Sequence, residues 1–162
     1  MQIQGKRVLL TGATGGIGEA IAKELSAAGA ELIISGRRAD VLERVAEQTG
    51  ASISIADLAD RVQLETLIAA NSEIDILIAN AALPASGELS AFSLDEIDRA
   101  LDVNLRAPVI MARQLIEPMQ ARGSGQIVLI SSLAGKVATA GSSLYSTTKF
   151  ALRGFGAGLR AD

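Results

Sequence analysis

The chain has 162 residues, 49% of them hydrophobic, with a net charge of −3 from 15 basic and 18 acidic side chains, a length that fits a single domain over 1–162 with a sizeable core. No apolar run approaches the ~20 residues of a membrane-spanning helix, the segment from Met1 to Arg7 lacks a signal-peptide apolar stretch, and the basic residues form no stripe for nucleic acid or anionic lipid; the expectation is a cytoplasmic protein without nucleic-acid or membrane partners. The absence of Cys and His excludes disulfides, thiol nucleophiles, Ser-His-Asp triads and the usual zinc ligands, so no metal is expected and chemistry falls to Ser, Tyr, Lys, Asn, carboxylates or a bound cofactor.

In chain order, residues 7 to 80 alternate short apolar runs with helical patterns. Strands are predicted over 7–11, 31–35, 51–56 and 74–80, with helices over 16–29, 38–49 and 60–71. This βαβαβαβ alternation predicts an α/β fold with a parallel sheet covered on both faces. Right-handed crossovers make it a three-layer, doubly wound, Rossmann-like sheet. Gly29 and Gly50 lie just past helical patterns, where a left-handed cap favours glycine.

The first strand runs into Thr11-Gly12-Ala13-Thr14-Gly15-Gly16-Ile17-Gly18, and Ile21, Ala22, Leu25 and Ala28 then recur at helical spacing. A strand, a glycine turn and a helix N-terminus in succession aim backbone N–H groups and the helix dipole at one spot, which holds a phosphate without a basic side chain. The order G-x-x-x-G-x-G differs from the G-x-G-x-x-G fingerprint but offers the same devices.

The second strand ends in Ser35-Gly36-Arg37-Arg38. An acid at this strand end bonds the adenosine ribose of NAD, whereas an arginine accommodates the 2′-phosphate of NADP; NADP is therefore preferred here, with NAD possible. The alternative is that Arg37 and Arg38 solvate the start of a helix, where cations oppose the dipole. Asp57, followed by Leu58, ends the third strand at the edge where open α/β sheets bind ligands; it either bonds the adenine amino group or caps the helix near Asp60. Asn80-Ala81-Ala82 ends the fourth strand at the same edge, and Asn80 can equally bond neighbouring backbone.

Ser93-Leu94-Asp95-Glu96 reads as a capping box, and the helical spacing of Ile97, Leu101, Leu105, Val109, Ala112 and Ile116 continues through it. Pro108 points to a bend or a break between two helices. Asn104 lies on this apolar face, where its amide needs partners: backbone groups or a held water. The run from Gly125 to Ser132 predicts a fifth buried strand ending in hydroxyls. Gly135-Lys136 is no P-loop, because Ile130 and Val137 stand where that motif requires Gly and Ser or Thr. Tyr145 and Lys149 share a face of a helix predicted to run to Asp162. An ammonium beside a phenol lowers its pKa by about 1–3 units, which makes a proton donor and acceptor without histidine. The alternative is a surface Tyr–Lys pair of negligible energy.

Taken together, T-G-x-x-x-G-I-G at 11–18, Asn80-Ala81-Ala82, Asn104, I-S-S-x-A-G at 130–135 and Y-x-x-x-K at 145–149 resemble the short-chain dehydrogenase/reductase family, in its order and spacing and across essentially the whole chain. The resemblance is to members with a Ser-Tyr-Lys-Asn tetrad. It implies about five strands in the order 3-2-1-4-5 and a catalytic set of Asn104, Ser132, Tyr145 and Lys149. Tyr145 would pass a proton to or from an alcohol or carbonyl substrate; Lys149 would tune it and bond the nicotinamide ribose. Ser132 would bond the substrate oxygen, and Asn104 would hold a water. The cofactor set implied is Gly12, Thr14, Gly15, Gly16, Ile17, Gly18, Arg37, Arg38, Asp57, Leu58, Asn80, Ala81, Ala82, Tyr145 and Lys149.

The family's usual chain continues with further strands and a substrate-covering segment, whereas this sequence stops at Asp162. It is therefore expected to be truncated, to lack the family's last strands, and to leave its fifth strand at an open edge. Two other readings follow from that: a dinucleotide-binding module without turnover, or a fragment that pairs through the fifth strand or the long helices. Segments 103–122 and 145–162 are similar to the family's dimer helices, so a homo-oligomer, dimer or tetramer, is expected.

Overall fold

In the computed structural model, which describes residues 2–161, the sheet is built from β1 (Arg7–Thr11), β2 (Glu31–Gly36), β3 (Ser52–Ile55), β4 (Ile76–Ala79) and β5 (Gln126–Leu129). All pairings are parallel, in the order β3-β2-β1-β4-β5. The order reverses at β1, so the C-terminal ends of β1 and its neighbours open on a crevice. Met1 and Asp162, the ends of the domain and of the last helix as expected from sequence, lie outside the described residues.

The strands alternate between two cores because successive side chains leave opposite faces. Leu9 and Leu77 pack with Leu64, Leu67, Met111 and Leu115 on one face; Val8, Leu10, Ile34, Ile76 and Ile78 pack with Ala22, Leu42 and Val45 on the other. The helices that supply these partners are α1 (Gly16–Ala27), α2 (Ala39–Thr49), α3 (Arg61–Ala70) and α5 (Ala107–Ala121), with α4 (Leu94–Leu101) and α6 (Ser143–Ala161) completing the set. Among the described residues no helix is long and apolar enough to cross a membrane.

Local chemistry sets the helix ends. Gly50 caps α2 in the left-handed conformation, φ 69°, as its position past the helical pattern predicts. The Asp60 carboxylate accepts from the N–H groups of Val62 and Gln63 at the start of α3. The capping box at α4 is present in both directions: Glu96 N–H donates to Ser93 Oγ, and Ser93 N–H to the Glu96 carboxylate.

Two expectations require correction. The helix expected over 103–122 begins at Ala107, because Asp102–Arg106 forms a π-helical turn between α4 and α5. Pro108 falls in the first turn of α5, where its missing N–H costs least. The fifth strand, expected as buried over 125–132, is shorter and only half-buried, since it has a partner on one side only.

Candidate active site

The glycine turn between β1 and α1 is shaped by close backbone approaches. Gly12 has φ +69°, and a Cβ there would stand 2.6 Å from Ala81 Cα. At Gly18 a Cβ would stand 2.2 Å from Gly12 O. Gly16 differs: its φ is not left-handed, and a Cβ there would meet nothing within 4 Å. Neither packing nor backbone conformation requires glycine at 16.

Thr11 ties this turn to the end of β4. Its hydroxyl donates to Ile78 O at 3.4 Å and accepts from the N–H groups of Asn80 and Ala81, both at 3.2 Å. The Asn80 amide donates to Thr11 O and Gly12 O, each at 3.1 Å. Asn80 thus bonds neighbouring backbone, one of the two uses the sequence allows.

A cleft of about 460 Å³ runs along these strand ends. All of Gly12, Thr14, Gly15, Gly16, Ile17, Gly18, Arg37, Arg38, Asp57, Leu58, Asn80, Ala81 and Ala82 line it. Ile17 is 66% exposed at its mouth, a large apolar side chain with no core to join. The two arginines part ways. Arg38 donates to Thr14 O, closing one wall. Arg37 is exposed and makes no hydrogen bond or ion pair among the described residues; its charge reaches Asp57.

Asp57 does not cap α3, since Asp60 does so. Its Oδ1 accepts from Ala59 N–H at 3.1 Å and its Oδ2 from Arg99 Nη2 at 2.6 Å. Burial alone would raise the Asp57 pKa, but the Arg99 and Ala59 hydrogen bonds and the charges of Arg99 and Arg37 hold it below its ordinary value. Ser35, 1% exposed, also lines the cleft, and its hydroxyl is buried without a hydrogen-bond partner. A buried orphan hydroxyl is costly.

The four residues of the expected tetrad gather around α6. Tyr145 lies on α6 and lines a neighbouring cleft of about 370 Å³ with Ala82, Leu83, Pro84 and Ser86. Its backbone N–H donates to Ala85 O at 3.2 Å, which pins the loop between the two clefts. Lys149, one turn on, is 2% exposed; its Nζ donates to Ile130 O at 2.9 Å and stands 5.7 Å from the centre of the Tyr145 ring. Burial pushes the Lys149 pKa below its ordinary value, for no carboxylate compensates. Ser132, just past β5, accepts from Ala134 N–H at 3.2 Å. No hydrogen bond joins it to Tyr145 among the described residues.

Asn104 is 1% exposed within the π turn. Its Oδ1 accepts from Leu83 N–H at 2.7 Å and its Nδ2 donates to Leu83 O at 3.0 Å and to Thr148 Oγ1 at 3.5 Å. The side chain is held by the backbone of Leu83. Sequence reasoning missed Ser131 and the purpose of Gly135: Ser131 Oγ donates to Lys149 O at 3.2 Å, and a Cβ at Gly135 would stand 2.7 Å from that same carbonyl. Together they let α6 descend onto the strand end.

The family model for short chain dehydrogenase matches residues 6–162. This chain belongs to the short-chain dehydrogenase family. It is 33% identical over 156 residues to the 3-oxoacyl-[acyl-carrier-protein] reductase of Rickettsia conorii, covering 95% of this chain and 65% of that one. It is 35% identical to nodulation protein G of Rhizobium sp., covering 99% and 68%. Among solved structures it resembles a short-chain dehydrogenase from Sphingobium yanoikuyae in complex with NADPH, with a TM-score of 0.89 and 28% identity over 96% of this chain and 65% of that one. A metagenomic short-chain oxidoreductase in complex with NADP gives a TM-score of 0.86 at 31% identity, covering 96% and 75%. The chain thus spans 65% of the length of the Rickettsia relative.

Members of this family bind NAD(P), and the cleft fits such a dinucleotide on three counts independent of the match. Gly16 leaves open space at the N-terminus of α1, where backbone N–H groups and the helix dipole suit a phosphate. The Ser35 hydroxyl lacks a partner. Arg37 carries a free charge at the cleft wall.

Proposed function

We propose that this chain is the cofactor-binding and proton-transferring part of an NADP-dependent oxidoreductase acting on an alcohol or carbonyl compound. The observation that carries this reading is the unpartnered Arg37 at the end of β2, in a cleft with no acid on that strand end. A 2′-phosphate supplies the partner that Arg37 lacks, and a guanidinium suits phosphate geometry. Backbone N–H groups from Gly12 to Gly18 would hold the pyrophosphate at the positive end of α1, and Asp57 would accept from the adenine amino group.

When bound, the dinucleotide supplies or takes the hydride. Tyr145 would donate a proton to the substrate oxygen, or accept one from it, through its hydroxyl. Lys149, buried beside the Tyr145 ring, would stabilise the phenolate that this transfer leaves behind and bond the nicotinamide ribose. Ser132 would hold the substrate oxygen. Asn104 would act by fixing Leu83, and so the wall shared by both clefts. The exposed faces of α5 and α6 would serve self-association, which sedimentation of the free chain reads directly.

The test is fluorescence titration with NADPH and NADH, together with turnover of a ketone panel. The expected result is NADPH binding at least about tenfold tighter, one ion pair's worth. Tyr145→Phe should retain NADPH affinity and lose turnover. Equal affinities for the two cofactors would overturn the NADP preference. Turnover by Tyr145→Phe at the original rate would overturn the assignment of the proton donor.

A further inference from the structure

Arg99 has no place in the cofactor or proton-transfer scheme above, yet it reaches from α4 to Asp57 on the wall of the strand-end cleft. It projects from α4, 42 residues along the chain from Asp57, and its Nη2 donates to Asp57 Oδ2 at 2.6 Å. The other carboxylate oxygen is taken by Ala59 N–H, and Asp57 N–H donates to the Gln63 side chain at 2.9 Å. Asp57 is therefore held from three directions: the turn that follows it, α3 and α4. A carboxylate offers about four lone-pair sites, so two remain for a donor arriving from the cleft.

We propose that Arg99 is a positioning residue that fixes the Asp57 carboxylate toward an incoming amino group, and through it sets discrimination for adenine over bases that lack that group. The inference rests on the dinucleotide reading above. Without Arg99 only the Ala59 N–H holds the Asp57 carboxylate, which can then swing its Oδ2 toward solvent or toward Arg37, whose charge is within reach. The placement of α4 supports a fixed rather than fluctuating contact: its capping box locks the first turn, and the π turn that follows is anchored by Asn104 to Leu83. Arg99 and Leu83 line one small cleft of about 270 Å³, and Leu83 also lines the main one. The elements that hold Arg99 are thus the elements that wall the cofactor cleft.

The experiment compares three reduced cofactors on this chain: NADPH, its hypoxanthine analogue, in which a carbonyl replaces the adenine amino group, and nicotinamide mononucleotide, which lacks adenosine. The parent chain should prefer NADPH over the hypoxanthine analogue by about tenfold or more, the size of one hydrogen bond to a charged group. In Arg99→Ala that ratio should fall to near one while affinity for the mononucleotide is unchanged, and Arg99→Lys should recover part of it. Equal weakening of both dinucleotides with the ratio preserved would overturn the proposal, since the pair would then serve only to hold α4. A parent chain that binds both dinucleotides without preference would overturn it at Asp57. No NADPH binding by the parent chain would overturn the dinucleotide reading itself. Circular dichroism of Arg99→Ala separates lost folding from lost recognition; where that variant unfolds, Arg99→Gln gives the same ratio.

Discussion

The cofactor cleft and the β5–α6 flank make an instructive pair. The cleft sits over β1 and β4, which are almost wholly buried, and β2, half of whose residues are buried, and its walls are tied by Thr11, Asn80 and Arg38. The flank carries Ser132 just past a half-exposed edge strand and Tyr145 and Lys149 on the helix beside it. Beside that strand an open groove of about 750 Å³ lies between α5 and α6, lined by Ile116, Met119, Ile127, Leu129 and Leu159. Parallel strands gain their stability from cover on both faces and partners on both sides. The centre has both and the flank has neither in full, so nucleotide binding is expected to be more robust than positioning of the proton-transfer residues.

The widest separation should come from core truncation. Leu77→Ala, at a fully buried position, should cost about 2–5 kcal/mol. Ile127→Ala, at the neighbouring register position on β5, should cost roughly half as much, since it removes half-exposed carbon. Urea denaturation of the two variants reads the difference. Equal losses would mean that the flank is as tightly packed as the centre.

A finer contrast lies inside the cleft. Gly18→Ala drives a Cβ into the Gly12 carbonyl, where backbone cannot yield, and should cost about 1–3 kcal/mol or more. Gly16→Ala meets open space at a first-turn helix position and should change stability by less than about 1 kcal/mol. It should nevertheless weaken NADPH binding by about tenfold or more as the methyl enters the phosphate opening. Unchanged NADPH affinity in Gly16→Ala would remove the ligand reading of that glycine.

The smallest effect is electrostatic. Glu19 on α1 is bonded by Arg44 of α2 and by Lys23, at 3.0 Å each, and these bonds lower its pKa to about 2. A folded pKa below the unfolded one means that the unfolded chain binds more protons in this range. The contribution is then present above pH 4.5 and fades as pH falls towards 2. Glu19→Gln should flatten that part of the pH–stability curve slightly, as expected for a solvent-screened pair.

Much of this was legible in the sequence, and the reason is locality. The strand–turn–helix at 7–27 is written in consecutive residues, and the parallel sheet follows from alternation of short apolar runs with helical periods. The strand order came from family likeness, which carries the whole topology with it. What the sequence hid are the contacts that depend on two distant segments meeting at one distance. Arg99 occupies an ordinary helical surface position until the fold brings Asp57 to it. Asn104 is a polar residue on an apolar face until the fold brings Leu83 and Thr148 to its amide. The π turn at 102–106 has no compositional mark, because one extra residue in a helical turn leaves the apolar spacing nearly intact. Ser35 alone had a local clue: a hydroxyl at a strand end beside Gly36 and Arg37.

The bonds made by the Thr11 hydroxyl also bear on the order in which the molecule can be made. Its partners Ile78, Asn80 and Ala81 lie 67 to 70 residues further along, beyond β2 and β3. During N-to-C synthesis the first three strands emerge as one wing of the sheet, with one side of β1 bare and Gly12 facing nothing. Only when β4 arrives does Ala81 close against Gly12, so the cleft is born late and at once, from a strand that had been waiting at the centre.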